Sequence, residues 1–196
     1  MAAAIAMLAA AGAAPGETQA ERGKRVVDEA LAAMGGARFL AMRDRIEAGR
    51  AYSFYREELS GRALAKIYTR YLTPEAGKVG LRERQAFGKD EDNVVLLGDT
   101  GGYEVNFRGA RPMNDAALER FQESTLRNVF YILRQRLGEK GLVVESRGSD
   151  IVDNQPVELV EIADASNRQV TVAFHRSTKL PVRQTTVRRD SRTNER

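Results

Sequence analysis

The chain has 196 residues and a formal net charge of +4, with 42% hydrophobic and 30% charged residues. This length suffices for one domain with a sizeable core, and the composition is typical of a soluble protein rather than of a disordered or membrane-embedded one. Because the chain has no cysteine, disulfides, thiolate nucleophiles, thiolate zinc sites and a lipid-anchored N-terminal cysteine are excluded.

The first twenty residues, MAAAIAMLAAAGAAPGETQA, differ in kind from the rest of the chain. The apolar run from Ala2 to Ala14 is about thirteen residues long, which is too short to span a bilayer. Ala11 and Ala13 offer an A-x-A cleavage site, so the run resembles the end of a secretory signal, although the positive n-region is missing. Residues 1–20 are therefore predicted to be a leader, and an Ala-rich disordered segment is the alternative.

A helix is the first element predicted after the leader, from Glu17 to Met34. Its apolar side chains recur at the spacing of one helix face, and Gly35-Gly36 follows as a C-terminal cap. A short turn, Ala37 to Met42, leads into the first strand. The apolar face of the helix consists of Val26, Val27, Ala30, Leu31 and Met34.

The hydrophobic pattern then changes to strict alternation, which is typical of strands with one buried face. Turn-like breaks separate the runs, for example Leu59-Ser60-Gly61 and Asp99-Thr100-Gly101-Gly102. Because these connections are too short for crossover helices, an antiparallel meander is predicted. Its five runs are Arg45 to Tyr55, Arg62 to Leu72, one that contains Val79, Leu81 and Phe87, Asn93 to Leu97, and Tyr103 to Phe107.

A long helix is predicted after the meander. Asn114 or Asp115 can cap its start, its apolar residues continue to Leu137, and Gly138 and Gly141 end it. Apolar side chains cover more than half of its circumference, which implies burial against a sheet.

Four further strands are predicted downstream of this helix. Neither a linker nor a repeat interrupts the pattern, so residues 21–190 are predicted to form one α+β domain, followed by a polar tail at 191–196. The strands are Leu142 to Arg147, Pro156 to Ala163, Arg168 to Phe174 and Pro181 to Arg188.

Groups for catalysis or metal binding are scarce. With a single histidine, His175, a three-imidazole zinc site is impossible, and neither a Walker motif nor a G-x-S-x-G elbow is present. Ser177 lies in the same turn as His175. Glu57 and Glu58 are neighbours in sequence and would point to opposite faces of a strand, which argues against an acid/base pair. The sequence therefore predicts no enzyme, no metal site and no cofactor.

The hairpin VTVAFHRSTKLPVRQTTV, residues 170–187, carries the most specific resemblance to a known family. Together with the segment ALAAMGGARFLAM before the first strand and the order of elements, it is similar to the LolA-like family of periplasmic lipoprotein carriers and lipoprotein-sorting proteins. His175 stands where an aspartate is usual, and Lys179 where glycine is common. The loss of the aspartate puts the stability of the turn in doubt. The matching residues are Thr178, Leu180, Pro181, Val182 and Arg183.

The resemblance implies an incomplete β-barrel, that is, a curved antiparallel sheet with helices on its concave face, and an apolar cavity for acyl chains. From the residues alone, a cavity and a fully packed core remain alternatives. Arg50 is the candidate for a polar latch in the cavity, unless its head reaches solvent. The cavity candidates are Ile46, Ala48, Arg50, Tyr52, Phe54, Ile67, Tyr71, Phe87, Tyr103, Phe107, Phe121 and Phe130.

Three functional hypotheses remain open. The first is a periplasmic carrier of lipid or lipoprotein acyl chains, without a transmembrane segment. The second is an envelope sensor or interaction module with a protein partner. The third, a polyanion binder, depends only on the basic run Arg183 to Arg196. This run is interpreted first as a solvated tail, so no nucleic acid is expected.

The end of the chain indicates either a truncated member of the family or a disordered tail. The oligomeric state is left open.

Overall fold

The structure, a computed structural model, describes residues 16–75, 78–98 and 101–186. Most of the predicted leader and the tail at 191–196 lie outside the described residues. The first helix, α1 (Gln19–Ala33), is followed by the short α2 (Ala37–Ala41), as the sequence predicts. A capping box begins α1, since the Thr18 hydroxyl accepts from the Glu21 amide at 3.2 Å and the Glu21 carboxylate accepts from the Thr18 amide at 2.8 Å.

Six antiparallel strands form the large sheet, and each pairs with the next strand along the chain. The predicted meander is therefore confirmed, with one extra strand that the sequence pattern missed because it has only four residues. The strands are β1 (Asp44–Tyr55), β2 (Glu58–Tyr71), β3 (Leu81–Phe87), β4 (Asn93–Leu97), β5 (Gly102–Asn106) and β6 (Gly109–Pro112).

The first hairpin turns at Arg56 and Glu57, not at the predicted Leu59-Ser60-Gly61. Both turn residues have positive φ angles, 50° and 66°, as a two-residue hairpin loop requires. Ser60 and Gly61 belong to β2, where a register irregularity lies opposite Ser53 and Phe54. A bulge thus replaces the expected turn.

The single long helix predicted from Asn114 is broken. Helix α3 spans Asp115–Leu126. Asn128 then caps a new helix, α4 (Val129–Tyr131), which continues as a π-helical segment (Ile132–Arg136). The Asn128 side chain accepts from the backbone amides of Phe130 and Tyr131 at 3.0 and 3.2 Å. This local cap competes with helix continuation, so the apolar pattern alone could not reveal the break.

The small sheet contains the four remaining strands in the order β10-β9-β8-β7. Helix α1, α4 and the π-helical segment pack on one of its faces and form the main core with it. The strands are β7 (Val143–Val152), β8 (Gln155–Ala163), β9 (Gln169–His175) and β10 (Pro181–Thr186). The core residues are Val26, Val27, Ala30, Val129, Ile132, Leu133, Val160, Ile162, Val170, Val172 and Phe174.

The two faces of the large sheet have different environments. Residues directly opposite in an antiparallel pair point to the same side. The helix face, which includes Ile67, Thr69 and Tyr71 of β2, is the side that α3 and α4 cover. The other side is here called the open face. The described residues thus form two open antiparallel sheets with helices packed on them, which confirms the predicted α+β class.

Candidate functional site

A hollow of about 180 Å³ lies between the helix face of the large sheet and the segment from α3 to α4. Strand residues form its floor and helix residues its roof. The floor consists of Arg45, Glu47, Ile67, Thr69, Tyr71, Leu81, Glu83 and Gln85. The roof consists of Phe121, Ser124, Thr125, Asn128 and Tyr131. The hollow therefore combines apolar walls with charged groups.

An ion pair on β1 forms one side of the floor. The Arg45 guanidinium lies 2.6 Å from the Glu47 carboxylate and 5.2 Å from the centre of the Phe130 ring. The aromatic contact covers one face of the guanidinium, which limits its access to water. Arg45 is thus a fixed positive charge at the edge of the hollow.

A second carboxylate, Glu83 of β3, lies deeper on the floor. Burial raises the pKa of Glu83 above its usual range, and the hydrogen bond from Gln85 at 2.6 Å offsets this only in part. Glu83 is thus a half-buried carboxyl that contacts Gln85 on the floor of the hollow.

Helix α3 separates this hollow from a larger groove of about 920 Å³ on its other side. Within α3, Thr125 is the one fully buried residue, and the partly buried Phe121 and Leu126 pack against a buried cluster on the sheet. An ion pair also connects the helix to the start of β9, because the Glu123 carboxylate lies 3.1 Å from Arg168 Nε. The rest of the α3 surface is only partly covered.

A buried ion pair fixes the far end of this region. Arg136 Nη2 of the π-helical segment donates to Asp164 at 2.8 Å, and Arg168 Nη1 donates to the same carboxylate at 2.9 Å. Burial alone would raise the pKa of Asp164, but these hydrogen bonds outweigh it and bring the pKa to about 2. The roof of the hollow is thus anchored at α4 and beyond, while α3 is held less firmly.

Five of the predicted cavity residues lie on the helix side. Ile67, Tyr71 and Phe121 line the hollow. Phe130 packs against both Arg45 and the main core, and Phe87 faces the same side without lining the hollow.

The other seven predicted cavity residues do not line the hollow, which corrects the expectation from alternation. The register places Ile46, Ala48, Arg50 and Tyr52 opposite even-numbered residues of β2, hence on the open face. Tyr103 shares that face through its pairing with Leu96. Phe54 and Phe107 are exposed, Phe107 at 87%. Arg50 is therefore not a latch inside the hollow.

The turn residue His175 supplies the hydrogen-bond acceptor that an aspartate was expected to provide. Its Nδ1 accepts from the backbone amides of Ser177 at 3.2 Å and Thr178 at 3.1 Å. The turn therefore keeps a side-chain acceptor although the aspartate is absent. Pro181 begins the outgoing strand β10.

Sequence reasoning missed most of the polar groups of the hollow. On β1, Arg45 and Glu47 alternate with the predicted cavity residues. On β3, Glu83 and Gln85 lie on the same side as Leu81 and Phe87. Charged residues on strands are usually exposed, so only the strand register could bring these four together.

No family model and no curated protein matches the sequence. Among solved structures, a Vibrio parahaemolyticus domain described as an outer membrane lipoprotein-sorting protein domain superimposes with a TM-score of 0.51 at 12% identity, over 85% of this chain and 72% of that chain. The chain shares the fold of this lipoprotein-sorting domain. The resemblance noted from the sequence is therefore confirmed at the level of the fold.

Two other solved structures are similar to this chain at lower scores. A DUF1329 family protein from Desulfovibrio piger has a TM-score of 0.49 and 11% identity, over 84% of this chain and 72% of that chain. The MucA/MucB complex of Pseudomonas aeruginosa has a TM-score of 0.31 and 14% identity, over 83% of this chain and 51% of that chain. Scores this low carry no structural argument.

Within the described ranges, no three side chains of the metal-ligating types come together. None of the helices in the described part of the chain has the length and apolar character needed to cross a membrane.

Proposed function

We propose that the protein is a non-enzymatic binding or carrier protein for the acyl chains of lipoproteins, or for another hydrophobic ligand, and that it works in the periplasm. The observation that carries the proposal is the position of α3, which lies between the hollow and the larger groove and has a single buried residue, Thr125. The lipoprotein-sorting fold and the predicted leader support the same role. An envelope protein that delivers or receives the ligand belongs to this proposal.

The size of the hollow requires α3 to move when a ligand binds. Ligand pockets typically have volumes of about 300–1,000 Å³. The hollow, at about 180 Å³, is smaller than that range, whereas the groove on the other side of α3 has about 920 Å³. Displacing α3 would join the two spaces and bring Phe121 and Leu126 against a guest. Each CH₂ removed from water then contributes about 0.8 kcal/mol to binding.

The polar groups on the floor favour an amphipathic ligand over a pure hydrocarbon. Arg45 offers a positive charge to a ligand oxygen, and Glu83 and Gln85 add polar groups beside it. An acyl chain against Ile67 and Tyr71 would place an ester or carboxyl oxygen within reach of this end of the floor. The same groups would reject a ligand that brings no polar atom, because their own polar atoms would be left without water.

The direct test is a titration of delipidated protein with a fluorescent fatty-acyl probe. Ile67→Trp enlarges a side chain inside the hollow and should reduce binding by at least about tenfold, since overpacking a closed site is costly. Ile46→Trp is the matched control, because it makes the same change on the open face and should bind like the wild type. Equal binding by Ile67→Trp and the wild type would remove the hollow as the site.

A further inference from the structure

The open face of the large sheet carries a row of mostly apolar side chains across its six strands, with Arg84 as the charged member on β3. Residues paired directly across neighbouring strands share a face, so the strand register gives the members of the row. From β1 to β6 they are Ile46, Tyr68, Arg84, Leu96, Tyr103 and Pro112. The adjacent row contains Ala48, Lys66, Ala86, Val94, Val105 and Ala110. Apolar side chains thus form a band on this face, which Lys66 interrupts on β2 and Arg84 on β3, where Ala86 is only 1% exposed.

Much of this band is in contact with solvent. Ile46 is 66% exposed and Tyr103 is 49% exposed, and Leu64, beside the second row, is 53% exposed. A groove of about 580 Å³ runs over Ile46, Tyr68 and Leu96. Contiguous exposed apolar side chains are typical of a binding surface.

Cationic side chains border the band at both ends. Arg70 and Arg82 pair across β2 and β3 at one end. Arg50 and Arg62 lie at the other end, on β1 and β2. The band is therefore framed by guanidinium groups, whose apolar stems can extend along it.

Three of these border arginines are free to bind an anion. Arg70 forms an ion pair with Asp44 at 2.7 Å. Glu91 pairs with Lys66 of the second row at 2.7 Å and with Arg84 of the first row at 2.6 Å. In the described part of the chain, Arg50, Arg62 and Arg82 have no ion-pair partner, and all three are exposed. The open face thus carries an unbalanced positive charge around an apolar centre.

We propose that the open face docks on a lipid bilayer that contains anionic phospholipids. A bilayer presents negative headgroups in a plane and apolar chains just beneath it, which matches arginines at both ends of an exposed, mostly apolar band. An acidic polypeptide would satisfy the arginines but leave most of the band in water. The inference goes beyond ligand carriage and does not depend on the hollow.

The test is co-sedimentation of the full chain with vesicles. Phosphatidylglycerol–phosphatidylethanolamine vesicles should bind the protein, pure phosphatidylcholine vesicles should bind it weakly, and added salt should release it. The triple variant Arg50→Gln/Arg62→Gln/Arg82→Gln should bind on the order of a hundredfold more weakly, because each cation near an anionic surface contributes about fivefold. Since these arginines have no ion-pair partner in the described ranges, the variant should melt like the wild type.

A second triple variant serves as the matched control. Arg38→Gln/Arg120→Gln/Lys140→Gln removes the same charge from exposed positions away from the open face. It should bind anionic vesicles within about twofold of the wild type. Ile67→Trp should also bind normally, which separates this inference from the acyl-binding proposal.

Several results would overturn the docking inference. Equal loss of binding in both triple variants would mean that net charge alone is responsible. Equal binding to neutral and anionic vesicles would remove the role of the arginines. Full competition by polyglutamate or RNA would assign the face to a polyanion, and a dimer of the free protein that Ile46→Ser/Leu96→Ser abolishes would assign it to a second copy of the chain.

Discussion

The imidazole Nδ1 of His175 lies 3.1 Å from the backbone nitrogen of Thr178 and accepts its hydrogen bond. The Ser177 amide donates to the same nitrogen at 3.2 Å. The only histidine of the chain therefore organises a hairpin turn. Its ring nitrogen takes the position of the aspartate oxygen that usually caps such a turn.

Replacing His175 tests this structural role. His175→Ala removes the acceptor of both turn amides and should lower the free energy of unfolding by about 1 kcal/mol. His175→Asp restores an acceptor and should retain wild-type stability. Urea denaturation followed by circular dichroism measures both. A fully stable alanine variant would contradict the role assigned to the ring.

The carboxylate of Asp164 should make stability depend on pH in the acid range. Its pKa in the folded protein is lowered to about 2, from an ordinary value of 3.8. A lowered pKa gives stability that is present above the unfolded pKa and is lost as the pH falls from about 4 to about 2. The loss should be about 2 kcal/mol in unfolding experiments across that interval.

Asp164→Asn should therefore lower the free energy of unfolding at pH 7 by about 3 kcal/mol, because Arg136 stays buried without one of its counter-charges. The variant should also lose most of the acid-range dependence. Asp28→Asn is the control, since its exposed pair with Lys24 contributes little. A wild-type pH profile in Asp164→Asn would argue against the buried pair.

Gly23 allows α1 to approach the small sheet closely. A Cβ atom at this position would lie 2.8 Å from the Ser146 backbone nitrogen and 2.9 Å from the Glu145 carbonyl carbon. Gly23→Ala should destabilise the protein by about 2 kcal/mol, because backbone cannot yield as a flexible side chain does. Gly138→Ala, where no atom lies within 4 Å, should be nearly neutral. Thermal melting of both variants decides the matter.

The ion pair between Glu123 and Arg168 should control how easily α3 moves. Glu123→Gln weakens the connection between α3 and the small sheet, so an acyl probe should exchange roughly two- to fivefold faster. Glu119→Gln changes a neighbouring exposed carboxylate that also lines the larger groove, and exchange should stay at the wild-type rate. Stopped-flow fluorescence gives the rates. Identical exchange rates in the two variants would mean that the contact of α3 with Arg168 does not control ligand exchange.

The sequence was sufficient for most of the architecture because hydrophobic periodicity and turn chemistry act locally. It indicated the strand from Asn93 to Leu97 with its observed bounds. It could not indicate the break at Asn128, where one side-chain cap overrides an apolar pattern that would otherwise continue.

The predicted cavity residues Ile46 and Tyr52 of β1 lie on the open face for a different reason. Ile46 and Tyr52 belong to the more apolar side of the strand, which normally faces the core. In the pairing with β2, this side of β1 lies opposite the even-numbered residues of β2 and therefore faces outward. The odd-numbered residues of β2, which include the partly buried Ile67 and the buried Tyr71, face the helices. The sequence could not indicate the clustering of arginines on the open face either, because residues far apart in sequence come together only through the strand register.

Mass spectrometry of an organic extract of the purified protein is the decisive test of whether the space under α3 receives a hydrocarbon guest. Acyl-chain lipids are expected in a near one-to-one ratio with the wild type and with the Arg50→Gln/Arg62→Gln/Arg82→Gln variant, and a strong reduction is expected with Ile67→Trp. An extract without acyl species, from protein that also fails to take up a fatty-acyl probe after delipidation, would contradict the proposal that the space under α3 receives a hydrocarbon guest.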